Sequence, residues 1–167
     1  MNPLPAPSID TGMGLERVTA VIQGRLSNYD TDLFTPLLAE IDRLTGRRHG
    51  GSASDPADVS MRVVADHMRA TTFLIADGVI PSNEWRGYVL RKIMRRAMRH
   101  GKKVGIEGAF LAALTGAVVD RMKAAYPELV SLAETVARVV SVEEDRFGTT
   151  LKQAIAVFDQ IAEKVPA

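Results

Sequence analysis

Between Leu90 and Arg99 the side chains separate into two chemically pure faces, and that separation restricts the stretch to a helix. Advancing about 100° per residue from Leu90, the residues Leu90, Ile93, Met94, Ala97 and Met98 fall in an arc from about −60° to +80°. Arg91, Lys92, Arg95, Arg96 and Arg99 fall in a second arc, from about 100° to 240°, with no overlap. A strand would mix the two sets, because its faces alternate at every residue. The apolar arc has to pack against something. The chain is therefore expected to be mainly α-helical, a bundle that holds this helix by one face and sends its five cations outward.

Charge elsewhere sharpens the point. Residues 86–103 hold eight of the 21 basic side chains (Arg86, Arg91, Lys92, Arg95, Arg96, Arg99, Lys102 and Lys103) and no acid, leaving 13 bases against 20 acids in the remainder. One cationic segment on an otherwise acidic chain is a candidate anion-binding face, with nucleic acid the first suspect. No acid at i±4 within the segment relieves the like-charge repulsion. The counter-charge is expected either from an external polyanion or from a carboxylate surface elsewhere in the fold. Asn83 lies in the turn that feeds this helix (P-S-N-E-W-R-G-Y). Its amide carries donors and an acceptor suited to a base edge, although an asparagine in such a turn can equally bond local backbone.

The other segments are consistent with a bundle of five or six helices. Ser8 to Met13 reads as a short strand, followed by a helix over about 15–24 that stops at Gly24. Residues 27–34 are turn-rich, and a helix with Pro36 in its first turn runs on to about 44. Residues 45–55 read as a mobile loop. Asp55-Pro56 is a good cap and first-turn pair for a helix to about 76, closed by Gly78. The basic helix is expected from a Ser82 cap to about His100, with Gly101 as its stop. A further helix fits 107–125. Residues 128–164 read as one long helix, or two broken near 140 or Gly148.

With 167 residues, 46% of them apolar and 25% charged, the chain suits one domain, or one domain plus a fragment, and a disordered chain is excluded. It has no cysteine, which removes disulfides, thiolate nucleophiles and cysteine-held metals. His49, His67 and His100 lack metal-ligand spacing, so no metal is expected, and His67 reads as a packed or hydrogen-bonded histidine. No apolar run reaches the roughly 18 residues a membrane span needs. The N-terminus lacks the basic flank and apolar core of a signal peptide, and the cytoplasm is the expected compartment.

The stretch Asp10-Thr11-Gly12-Met13-Gly14-Leu15-Glu16-Arg17 pairs two glycines with a helix start. Gly12 and Gly14 allow close backbone approach to a flat ligand, and Arg17 on the first turn can reach a phosphate. A tight turn explains the same glycines.

Together these segments resemble a family, the class II alanyl-tRNA synthetases. D-T-G-M-G-L-E-R-V is similar to their third signature motif, and S-N-Y-D-T-D-L-F follows in place. The run from R-V-V-A-D-H-M-R-A through P-S-N-E-W-R-G-Y-V-L-R-K-I-M-R-R-A-M-R-H-G is similar to the helical region after the catalytic core. Y-P-E-L and V-E-E-D-R-F-G-T-T-L fit further on. The likeness is collinear from about Pro5 to about Phe158.

The resemblance implies that residues 1–24 are the C-terminal edge of a class II catalytic domain, with a strand left over from its antiparallel sheet. Residues 25–167 would then be a helical tRNA-recognition domain. It implies ATP-dependent attachment of alanine to its tRNA, with ATP and Mg used by the full-length enzyme and none expected to bind tightly to this chain alone. Arg17 matches the catalytic arginine on the ATP triphosphate, Gly12 and Gly14 the glycines beneath the adenosine, and Asp10 the carboxylate that holds the α-amino group of alanine. Asn83 matches the asparagine that helps read the G·U pair of the tRNA acceptor stem. Arg86, Arg91, Lys92, Arg95, Arg96, Arg99, Lys102 and Lys103 would lie along the phosphates.

The sequence departs from the family in what it omits. The first two class II motifs, the aspartate that partners the G·U-reading asparagine, and the metal-dependent editing domain are not in it, and Trp85 stands where a smaller or polar residue is usual. The chain is thus expected to be a piece of such an enzyme, inactive in isolation. The apolar residues of segment 1–24 (Ile9, Met13, Leu15, Val18, Val21 and Ile22) would pack on the missing catalytic portion or drive self-association. The alternative is a non-catalytic helical scaffold whose basic face binds RNA non-specifically or an acidic protein.

Overall fold

The computed structural model describes residues 12–163. Six α-helices follow one another: α1 Leu15–Ile22, α2 Thr35–Thr45, α3 Pro56–Ala76, α4 Trp85–Lys103, α5 Leu111–Met122 and α6 Glu128–Ala162, with a 3-10 turn at Asn28–Asp30. No strand occurs among the described residues. The strand expected at Ser8–Met13 lies outside them except for Gly12 and Met13, which are irregular.

α3 is the central element, with α2, α4, α5 and α6 packed around it. Its Met61, Val64, Ala65 and Met68 are fully buried, against Leu90, Met94 and Ala97 of α4, Leu114 and Val118 of α5, and Val136 and Val140 of α6. Each set recurs at three- and four-residue spacing, the stripe a helix needs to bury one face. The apolar arc expected of α4 is the face that packs inward, with Ile93 half-buried at its edge.

Local chemistry sets both ends of α3. Asp55 caps α3 by accepting from Ala57 N at 2.7 Å, with Pro56 in the first turn and Gly78 left-handed (φ 86°) just past the end. Two expected ends of α4 are different. Ser82 does not cap the helix: its Oγ donates to Glu84 O at 2.8 Å and folds the preceding turn. Gly101 does not stop it either. It lies inside α4 because a Cβ there would collide with the Phe110 ring, so the glycine makes room for that ring rather than for a turn. The helix runs on to Lys103, and the left-handed glycine that follows is Gly105 (φ 85°).

α5 begins later than its composition suggests, and a distant residue caps it. Glu144 of α6 accepts from Phe110 N at 2.9 Å and from Leu111 N. Burial pushes the Glu144 carboxyl above its ordinary range, partly offset by those two donors. The segment before α3 is irregular, as expected, yet tethered: the buried Asp58 accepts from Gly50 N at 3.0 Å and Ser52 N at 2.8 Å, and Asp42 accepts from His49 N at 2.8 Å. α6 is a single helix, unbroken at 140 or at Gly148.

Candidate nucleic-acid interface

The turn from Val79 to Glu84 delivers the chain onto the first turn of α4. It sits so close that a Cβ at Gly87 would collide with Ile80 O and Ser82 Oγ. Only glycine permits that approach. Arg91, one turn further along, reaches back over the turn: Nη1 donates to Asn83 Oδ1 and Nη2 to Pro81 O at 3.3 Å. Asn83 is exposed, and its amide nitrogen makes no hydrogen bond among the described residues. One guanidinium thus holds the turn and orients the asparagine amide, with the donor end directed away from the clamp.

The expectation that all five cations of α4 point outward holds for three. Lys92, Arg96 and Arg99 are exposed, as are Arg86, Lys102 and Lys103 on either side of them. Arg91 and Arg95 instead share one carboxylate, that of Glu143 on α6. Arg95 Nε donates to Glu143 Oε1 at 3.0 Å, and Arg91 Nε lies 3.0 Å from the same oxygen without the alignment of a hydrogen bond. The Glu143 side chain is 3% exposed, that of Arg91 14% and that of Arg95 38%. The guanidinium of Arg95 also lies over the Phe147 ring, 5.2 Å from its centroid. A carboxylate elsewhere in the fold therefore supplies counter-charge for the flank of α4 nearest α6. The outer flank receives none among the described residues.

Reading the helix in isolation missed Glu143. The signal lies in α6: Val136, Val140, Glu143, Glu144 and Phe147 form one inward stripe, with two acids at positions where apolar residues are expected. Acids at such positions have buried partners, and here they are two arginines and the first turn of α5.

His100, at the far end of α4, has Nδ1 3.0 Å from Ser60 Oγ. Burial holds its pKa below the ordinary value, assisted by Lys103, Arg96, His67 and Arg99. His67 is half-buried with Nδ1 2.9 Å from Asp66 Oδ2, the hydrogen-bonded histidine expected.

A second group of expected residues gathers at α1. Gly12, Gly14 (φ 83°) and Arg17 line an open cavity of about 410 Å³ with Asn28, Tyr29 and Asp66. Arg17 is exposed and forms no ion pair among the described residues. Burial, and next Asp66, raise the Tyr29 hydroxyl pKa against the pull of Arg62. Glu16 pairs with Arg69 and so fastens α1 to α3. Asp10 lies outside the described residues.

Trp85, the first residue of α4, has φ 52° and is the one non-glycine with positive φ among the described residues. Left-handed backbone costs an L-residue about 1–2 kcal/mol.

The chain is similar to known proteins along its length. The model of a family described as tRNA synthetases class II (A) matches residues 1–167. Proteins named alanine–tRNA ligase are similar along almost the whole chain. The one from Anaeromyxobacter dehalogenans (strain 2CP-C) is 55% identical over 159 residues, which cover 95% of this chain and 17% of that protein. The one from Thermotoga maritima is 54% identical over 164 residues, 98% of this chain and 19% of that protein. For Solibacter usitatus the figures are 53% over 165 residues, 99% and 19%. The chain spans less than a fifth of the length of these curated relatives.

Proposed function

The chain belongs to the class II (A) tRNA synthetases, and from that premise we propose that it is the acceptor-stem-binding helical part of an alanine–tRNA ligase. Residues 25–167 form that part, and residues 1–24 contribute an edge of the alanine and ATP site. One observation carries the reading: a single α6 carboxylate engages two cations of α4, and six more stay exposed along the rest of the segment. A fold needing only internal balance has no use for the remainder, whereas a row of exposed lysines and arginines suits the phosphates of an RNA stem.

Asn83 heads that row and supplies the sequence information. A G·U pair leaves the guanine amino group free in the wide, shallow minor groove of A-form RNA, where side chains reach base edges and 2′-hydroxyls. The Asn83 oxygen, already accepting from Arg91, keeps a second lone pair for that amino group. Its amide nitrogen donates to a neighbouring acceptor. Arg91 and Arg95 act mainly by holding the frame, while Arg86, Lys92, Arg96, Arg99, Lys102 and Lys103 meet phosphates.

At α1, Arg17 would hold the triphosphate of ATP, Gly12 and Gly14 would let the adenosine lie close, and Asp10 would meet the ammonium of alanine. The exposed, open setting of Arg17 and the open space around Gly12 among the described residues suit those roles. ATP with Mg supplies activation of the alanine carboxylate when bound. In this chain the described part of the cavity offers it one cation, and tight binding is not expected.

The test is a titration against two acceptor-stem hairpins, one with G·U and one with G·C, using the native chain and Asn83→Ala. The native chain should prefer G·U, and Asn83→Ala should lose that preference, worth about 1–3 kcal/mol for a base-edge contact, with G·C binding unchanged. An equal loss on both hairpins would sink the reading role.

A further inference from the structure

Trp85 combines two unfavourable features. Its backbone is left-handed, where glycine fits without strain, and its indole is 89% exposed, so packing within the fold does little to offset that strain. The position follows from the tight turn: the chain lies against the first turn of α4 at Gly87, and residue 85 takes up the reversal that starts the helix.

Trp85 also stands at the head of the cationic row. At about 100° per residue, position 85 falls within about 40° of Lys92, Arg96, Arg99 and Lys103 around the helix, and all five residues are exposed. A large aromatic face beside a line of phosphate-binding cations matches how proteins hold unpaired nucleotides: the base stacks on the ring while the cations track the backbone. A duplex alone offers no such face except at its end.

Resting on the RNA-binding reading above, we infer that Trp85 is a stacking platform for an unpaired base adjoining the stem that lies along α4. The residue adds single-strand recognition to a surface whose other groups address a duplex.

Trp85 is the only tryptophan in the chain, so its fluorescence reports on this residue alone. The experiment titrates the full chain with two hairpins of identical stem, one blunt and one with a single-stranded 3′ extension, and repeats it with Trp85→Gly and Trp85→Phe. The extended hairpin should quench the fluorescence and shield the indole from acrylamide. Trp85→Gly should bind it roughly tenfold more weakly while melting at the same or a higher temperature, and Trp85→Phe should retain most of the affinity. A residue serving only the fold would not lose affinity while thermal stability held or rose. Quenching and affinity that are equal for blunt and extended hairpins, or Trp85→Gly binding as the native chain does, would overturn the inference. If the native chain binds neither hairpin, the RNA-binding reading falls with it.

Discussion

Glu143 shows how much one side chain decides. Its nearly buried carboxylate meets two guanidiniums of another helix, so α4 is bound to α6 by charge as well as by apolar contact. Removing one partner of such a cluster leaves the other charges uncompensated, which is costlier than never having had the pair. Glu143→Ala should therefore destabilise the chain by about 3 kcal/mol, read as a lowered denaturant midpoint. It should also loosen the turn at Asn83, because the arginine that clamps Asn83 loses its anchor. A midpoint within experimental error of the native value would show that the pair contributes nothing to the fold. Nothing in the spacing of the arginines announces Glu143, since periodicity assigns a residue to a face but does not say which element covers it. Asn83 was legible as a candidate for another reason: it stands in a turn beside a cationic face, and its amide chemistry does not depend on packing.

At the scale of the element, the helices were readable and their ends were only partly so. α3 was legible at both ends, because Asp55-Pro56 and Gly78 act on the backbone of their own immediate neighbours. α4 was not. Gly101 has the composition of a stop but is used for close packing with Phe110, and α5 takes its cap from a residue more than thirty positions away. Such ends are set by tertiary contacts that no local window contains. α1 differs from the others in what it leaves uncovered. It is held by polar ties, Glu16 to Arg69 and Gln23 to Asp32, while Val21 is 75% and Ile22 79% exposed. Met13, Leu15 and Val18 extend that apolar surface. On the proposed reading, such a face packs on a catalytic portion of a whole enzyme, or on another copy when the chain is alone. Sedimentation should show an apparent mass that rises with concentration, and Val21→Glu with Ile22→Glu should abolish the rise. A native chain that stays monomeric at high concentration would contradict this account of α1.

Across the whole molecule, the α3-centred core carries the two regions to which the proposed function assigns roles. One is the outer flank of α4 with the turn that leads into it, and the other is the cavity beside α1 where Gly12, Gly14 and Arg17 meet. Among the described residues no helix is long and apolar enough to cross a membrane. The family was legible because long collinear blocks carry it. The division of labour among the cations was not, because it depends on which face of α4 receives α6. That division is the central claim, and the salt dependence of RNA binding tests it most directly. The native chain should show a log–log slope of about −3 if about four phosphates are neutralised. Lys92→Gln, Arg96→Gln and Arg99→Gln together should flatten the slope by about one for each phosphate left without its cation, weaken G·U and G·C hairpins alike and leave the denaturant midpoint unchanged. A triple variant that keeps the native slope and affinity would contradict the assignment of the exposed row to phosphate.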